Sequence, residues 1–120
     1  MSKIMVIDDS NSMRGLIKQV LHAAGHDVVE AVDGEDALTR AQGAAIDLFL
    51  CDVNMPRLDG LSLVKRLRML APFKFSPILM LTTEIDPEKK RIAKEAGATG
   101  WLVKPFQPDQ LIATSRKVLA

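Results

Sequence analysis

Acidic, hydroxyl and cationic residues gather in this chain just after short apolar runs. Asp8 and Asp9 follow the run 4–7, Asp52 follows 46–51, Thr82 and Thr83 follow 78–81, and Lys104 with Pro105 follows 101–103. Three carboxylates brought together repel one another, so a site built from them calls for a cation or a proton. Ligation by oxygen alone suits Mg2+ or Mn2+. A lysine ammonium and a threonine hydroxyl on the other flank suit phosphoryl oxygens. No His, Cys or Ser is paired with a base that would activate a Ser or Cys nucleophile. The nucleophile here would then be a carboxylate, and its product an acyl phosphate. Asp52, at the end of a central run opposite Lys104, is the candidate.

These residues meet only if the runs lie side by side. The run 4–7 reads as a buried strand. Met13, Leu16, Ile17, Val20, Leu21 and Ala24 then recur at helical spacing, and Gly25 suits a helix end. Val28-Val29 is a short second strand, and 34–41 a weak helix with Ala37, Leu38 and Ala41 facing inward. Residues 46–51 form a third strand, and 61–70 a third helix with Asp59 as N-cap. Strand 78–81 precedes Asp86-Pro87, an N-cap and first helical residue that open a polar helix ending near Gly97. Residues 101–103 make a fifth strand. Leu111, Ile112, Ser115, Val118 and Leu119 stripe a last helix. Five strands alternating with five helices predict an α/β, doubly wound parallel sheet with right-handed crossovers. In such sheets ligands bind beyond the carboxyl ends of the strands, where the polar residues above fall.

Composition narrows the function classes. The chain of 120 residues suits one domain, 1–120, with no room for a second, so its action is expected to pass through a partner. Lys and Arg total 16 against 15 Asp and Glu. That balance gives no support to a nucleic-acid binder held by phosphate contacts. The single cysteine, Cys51, cannot form an intrachain disulfide, which points to a reducing cytoplasm. No stretch approaches the roughly 20 apolar residues that span a bilayer. The first apolar run is about four residues long and ends in two acids, unlike a signal peptide. A cytoplasmic protein without membrane contact is expected.

Asp8-Asp9, the stretch Asp52-Val53-Asn54-Met55-Pro56-Arg57-Leu58-Asp59-Gly60, Thr82-Thr83 and Lys104-Pro105-Phe106 together resemble a response-regulator receiver domain. The resemblance covers the whole chain and is nearest to stand-alone chemotaxis receivers of the CheY type. It implies a flavodoxin-like fold with the strand order 2-1-3-4-5 described for CheY itself. It implies that Asp52 accepts a phosphoryl group from a CheA-type histidine kinase, while Lys104 and Thr82 hold its oxygens. Asp9 would bind Mg2+ directly and Asp8 mainly through water. Asp52 and the backbone carbonyl of Asn54 would complete the protein's share of the shell. The bond before Pro105 would be cis. Asn54 and Glu84 resemble the residues that tune hydrolysis, and Thr83 and Trp101 fall in the switch region. Trp101 stands where such proteins more often have Tyr; its indole is larger and offers only an N–H donor. It would either swing inward on activation or stay on the partner-facing surface.

The resemblance further implies a monomer that catalyses only its own phosphorylation and dephosphorylation. Its target would be a flagellar motor switch protein or another partner, with a phosphatase possible. A phosphorelay shuttle to a histidine phosphotransfer protein is the alternative. An aspartate-nucleophile phosphatase would want an acid two residues past Asp52, where Asn54 stands. A flavin module would want a Ser/Thr-rich loop where Asp8-Asp9 would repel the phosphate. A scaffold without chemistry is disfavoured because every site residue is present.

Plainer readings compete at several positions. Asp8 and Asp9 could cap a helix near Ser10, and Asp52 could be a turn former beside Pro56. Lys104 and Thr82-Thr83, taken singly, could be solvated strand ends. Cys51 should point into the core, on the face opposite Asp52. His22 and His26 straddle Gly25 and do not share a helix face. Lys89-Lys90-Arg91 reads as a solvated face, and Phe73 and Phe75 as packing a loop against the third helix. The polar helix has few apolar anchors, chiefly Ile92, Ala93 and Ala96.

Overall fold

Apolar runs bounded by turn residues become five short strands, each followed by a helix. In chain order these are β1 (Lys3–Ile7), α1 (Asn11–Ala23), β2 (Asp27–Ala31), α2 (Gly34–Ala41), β3 (Leu48–Asp52) and α3 (Gly60–Arg68). A short 3-10 turn (Ala71–Phe73) precedes β4 (Ile78–Thr82), α4 (Pro87–Ala96), β5 (Gly100–Val103) and α5 (Pro108–Leu119). The computed structural model describes residues 2–53, 55, 58–83 and 86–119. Asn54 and Glu84 lie outside the described residues.

All strands pair in parallel, in the order β2-β1-β3-β4-β5. Successive side chains of a strand point to opposite faces, so each apolar strand feeds two cores. Ile4, Val6, Leu48, Leu50, Leu79 and Leu81 join Ile17 and Leu21 of α1 and Leu111 of α5 on one face. Met5, Ile7, Phe49, Cys51, Ile78 and Met80 join Ala37, Leu63, Leu67 and Ala93 from α2, α3 and α4 on the other. Burial on both faces is why the strands read as near-continuous apolar runs.

Four helices open with a capping side chain. Ser10, Asp33, Asp59 and Asp86 accept hydrogen bonds from the backbone N–H groups of Met13, Asp36, Ser62 and Lys89. Each such cap is worth about 1 kcal/mol. Asp59 and Asp86 are the caps expected from the sequence. At the first helix Ser10 takes that duty, and Asp8 instead accepts from the Ser10 backbone N–H at 2.9 Å.

Several packing expectations fail. Leu16 is 51% exposed and Ile92 38% exposed, so neither anchors its helix. The apolar faces of α1 and α4 are narrower than their hydropathy suggests, and α4 is seated on the buried Ala93 and Ala96. Phe73 is buried and meets Phe49 edge to face at 5.1 Å. Phe75 points outward, with Lys74 Nζ 5.6 Å from its ring centre. Arg68 accounts for the difference: its Nη1 donates to the carbonyls of Phe73 at 2.9 Å and Ser76 at 2.5 Å, drawing the backbone inward on either side of Phe75. Arg68 Nε and Nη2 also donate to the carbonyl of Gly97, the left-handed residue that ends α4.

Candidate functional site

Strand register assembles the polar residues at one edge of the sheet. Ile7 lies beside Cys51, so Asp8 and Asp52 follow as neighbours. Asp52 pairs with Leu81, which brings Thr82 one step beyond, and Thr82 pairs with Val103, which puts Lys104 next. The Lys104 backbone N–H donates to the Thr82 carbonyl at 2.7 Å, and the peptide between Lys104 and Pro105 is cis.

Asp8 and Asp52 are buried, and Asp9 is exposed. One carboxylate oxygen from each of the three lies within 4.8 Å of the others. Lys104 Nζ bridges two of them, 3.2 Å from Asp8 Oδ2 and 3.3 Å from Asp52 Oδ1. Among the described residues, one ammonium against three carboxylates leaves an excess of negative charge in the site. Oxygen donors with that residual charge fit a hard divalent cation, with Asp9 on the open side. Thr82 is half-buried and Thr83 exposed at the rim. Among the described residues no other group of three His, Cys, Asp or Glu side chains converges in this way. His22 and His26 take no part in such a group.

The flanking residues define the shape of the site. Gly60 opens α3 against the end of β3, where a Cβ would come within 2.5 Å of the Asp52 carbonyl. Cys51 is fully buried, as expected. Burial pushes its thiol well above the usual range, and the charges of Asp52, Asp59 and Asp8 add to the effect. It is a core residue and not a nucleophile. Trp101 is half-buried against the α4 side of the core, with Lys90 Nζ 4.9 Å from its ring centre. Arg91 of the same basic run pairs with Glu88 and Glu95 along α4.

Arg14 stands in none of the motifs that the sequence presents. It is nearly buried in the first turns of α1, where its Nη1 donates to the Asp8 carbonyl at 2.6 Å. A cation near a helix N-terminus opposes the helix dipole, and that mismatch was the available signal.

Among the described residues no helix is long and apolar enough to cross a membrane. The family pattern described as the response regulator receiver domain matches residues 4–116. The alkaline phosphatase synthesis transcriptional regulatory protein PhoP of Bacillus subtilis (strain 168) is 38% identical over 117 residues, 98% of this chain and 48% of that protein. A gliding motility regulatory protein of Myxococcus xanthus is 40% identical over 85% of this chain and 13% of its own length. The chain thus spans half or less of these two relatives. Among solved structures, the Vibrio cholerae chemotaxis protein CheY4 matches with a TM-score of 0.96 and 50% identity over 98% of each chain. The receiver domain of the Francisella response regulator 1452 matches with a TM-score of 0.91 and 31% identity over 99% of this chain and 97% of that one. The sheet order and five covering helices are therefore a CheY-like, flavodoxin-type arrangement.

Proposed function

This chain belongs to the response regulator receiver domain family, and from that membership we propose that Asp52 accepts a phosphoryl group from a histidine kinase and so switches a target-binding surface in a two-component system. The observation that carries this reading is the Asp52 carboxylate held 3.3 Å from Lys104 Nζ within the trio of aspartates. Residues 1–120 act as one receiver unit in this reading. The finer reading is a monomeric cytoplasmic chemotaxis receiver, with a CheA-type kinase as donor and a flagellar motor switch protein as target. It is supported by the likeness to CheY4, which spans 98% of both chains, whereas PhoP matches over 48% of its length.

An Asp52 carboxylate oxygen attacks phosphorus as the P–N bond of the kinase phosphohistidine breaks. The imidazole, protonated on its other ring nitrogen, leaves with the bonding pair as the neutral ring. Lys104 and the Thr82 hydroxyl receive the phosphoryl oxygens. Asp8, Asp9 and Asp52, with the Asn54 carbonyl, would hold Mg2+ or Mn2+, which supplies neutralising charge to those oxygens when bound. Hydrolysis reverses the modification: water attacks phosphorus, the electrons of the P–O bond return to Asp52, and phosphate and a proton depart. Asn54 and Glu84 would tune that attack, and Thr83 and Trp101 would pass the change to the target surface. Such chemistry modifies the chain itself and turns over no separate substrate other than its phosphodonor.

The test is to incubate the chain with acetyl phosphate and Mg2+ and follow its intact mass. Gain of one phosphoryl group, abolished by Asp52→Asn or EDTA, is expected. Modification that persists in Asp52→Asn, or that maps to a Ser or His, overturns the assignment.

A further inference from the structure

Arg14 belongs to no step described above, yet it is among the few buried charged side chains of the described residues. Its guanidinium ties three segments together. Nη1 donates to the backbone carbonyl of Asp8 at 2.6 Å. Nη2 donates to Asn11 Oδ1, and Nε faces Glu30 Oε1 at 3.4 Å across the end of β2. Lys18 Nζ stands 3.4 Å from the other oxygen of Glu30 and steadies that carboxylate from solvent. The carbonyl that Arg14 holds belongs to the residue whose carboxylate Lys104 contacts, and it is the link to Asp9.

We propose that Arg14 is a positioning residue for divalent cation binding: by fixing the Asp8 carbonyl against Glu30 it sets how the carboxylates of Asp8 and Asp9 are presented. This rests on the reading of the aspartate trio as a cation site. Coulomb's law alone gives the opposite sign. A guanidinium beside an acidic cluster repels an incoming cation, so deleting it should tighten binding. Positioning predicts that deletion weakens binding, because outer-shell partners that orient metal ligands are commonly worth about tenfold or more in affinity. The planar fork also matters, since a lysine keeps the charge but cannot bridge a carbonyl and a carboxylate with fixed geometry.

The experiment counts free Mn2+ by its electron paramagnetic resonance signal against the unmodified chain, Arg14→Met, Arg14→Lys and the control Arg40→Met, each checked for folding by circular dichroism. Arg40 lies in an exposed ion pair on α2. A dissociation constant raised about tenfold in Arg14→Met, raised to a smaller extent in Arg14→Lys and unchanged in Arg40→Met is expected. Tighter or unchanged binding in folded Arg14→Lys overturns the proposal, and that variant decides the matter if Arg14→Met does not fold. If the unmodified chain binds no Mn2+, the cation reading falls and this inference with it. If it binds and the Arg14 variants match it, only the inference falls.

Discussion

Lys90 on α4 holds its ammonium 4.9 Å from the centre of the Trp101 ring on β5. Such a contact at a partly exposed site is worth about 0.5–1 kcal/mol. It joins the helix to the strand that leads into Lys104. On the proposed reading, a phosphoryl group on Asp52 would add charge beside Lys104 and Thr82, and a small bias there would shift the balance between two arrangements of α4 and β5. We predict that Mg2+ with beryllofluoride changes the fluorescence of Trp101, the only tryptophan. Asp52→Asn should abolish the change, and Lys90→Ala should alter the starting spectrum. Trp101→Ala should weaken target binding while Asp52 still phosphorylates. A spectrum indifferent to beryllofluoride in a chain that demonstrably phosphorylates would refute the coupling.

Removing Lys104 should expose the charge imbalance of the site. Its ammonium lies against both Asp8 and Asp52, each nearly buried. We predict that Lys104→Met lowers stability by about 2 kcal/mol or more through carboxylate repulsion, and that Mg2+ recovers most of the loss. Urea unfolding with and without Mg2+ measures both. A variant as stable as the unmodified chain without Mg2+ would show that the lysine does not balance the trio.

Gly60→Ala places a methyl group 2.5 Å from the Asp52 carbonyl and 2.9 Å from the Cα of Val53. Both are backbone atoms and cannot rotate away. We predict a loss of about 2–3 kcal/mol and slower phosphorylation, since β3 or α3 must shift. Gly15→Ala, where nothing lies within 4 Å, should cost no stability and serves as the control. Equal midpoints for the two variants in thermal unfolding would contradict the close approach.

The buried Cys51 thiol predicts a pH dependence. Its pKa is raised in the fold chiefly by burial. An unfolded thiol ionises near pH 8.5, so above that pH the unfolded state binds fewer protons than the native state, and stability falls as pH rises. The slope fades as pH falls below the unfolded thiol's range and is negligible near pH 7. We predict that Cys51→Val removes part of the decline in stability measured between pH 8 and 10, and that native Cys51 resists iodoacetamide. Rapid native alkylation would place the thiol at the surface.

Much of this architecture is legible from local pattern because short apolar strands, capping residues and turns act over a few neighbours. That is why the strand ends carrying Asp8, Asp52, Thr82 and Lys104 could be named before their register was known. Long-range side-chain reach leaves no such trace. Arg14 and Arg68 run their stems through packed regions to carbonyls on other segments, and hydropathy marks both as surface residues. Leu16, Ile92 and Phe75 are misread for the converse reason, since an apolar side chain is not obliged to be covered. The roles expected of Asn54 and Glu84 rest on resemblance alone, and both lie outside the described residues.

The bridge from Lys104 to Asp8 joins positions separated by 96 residues. Lys104 is delivered by β5, an edge strand of four residues paired only with β4 and without a fully buried side chain. Edge strands with little burial open at lower free energy than the strands they flank. Each brief detachment of β5 would withdraw the ammonium and leave Asp52 facing Asp8 without it, while β1, β3 and β4 stay packed. The charge balance of the aspartate trio thus depends on the margin of the sheet, and loosening that border would take the ammonium from beside Asp8 and Asp52 before the inner strands part.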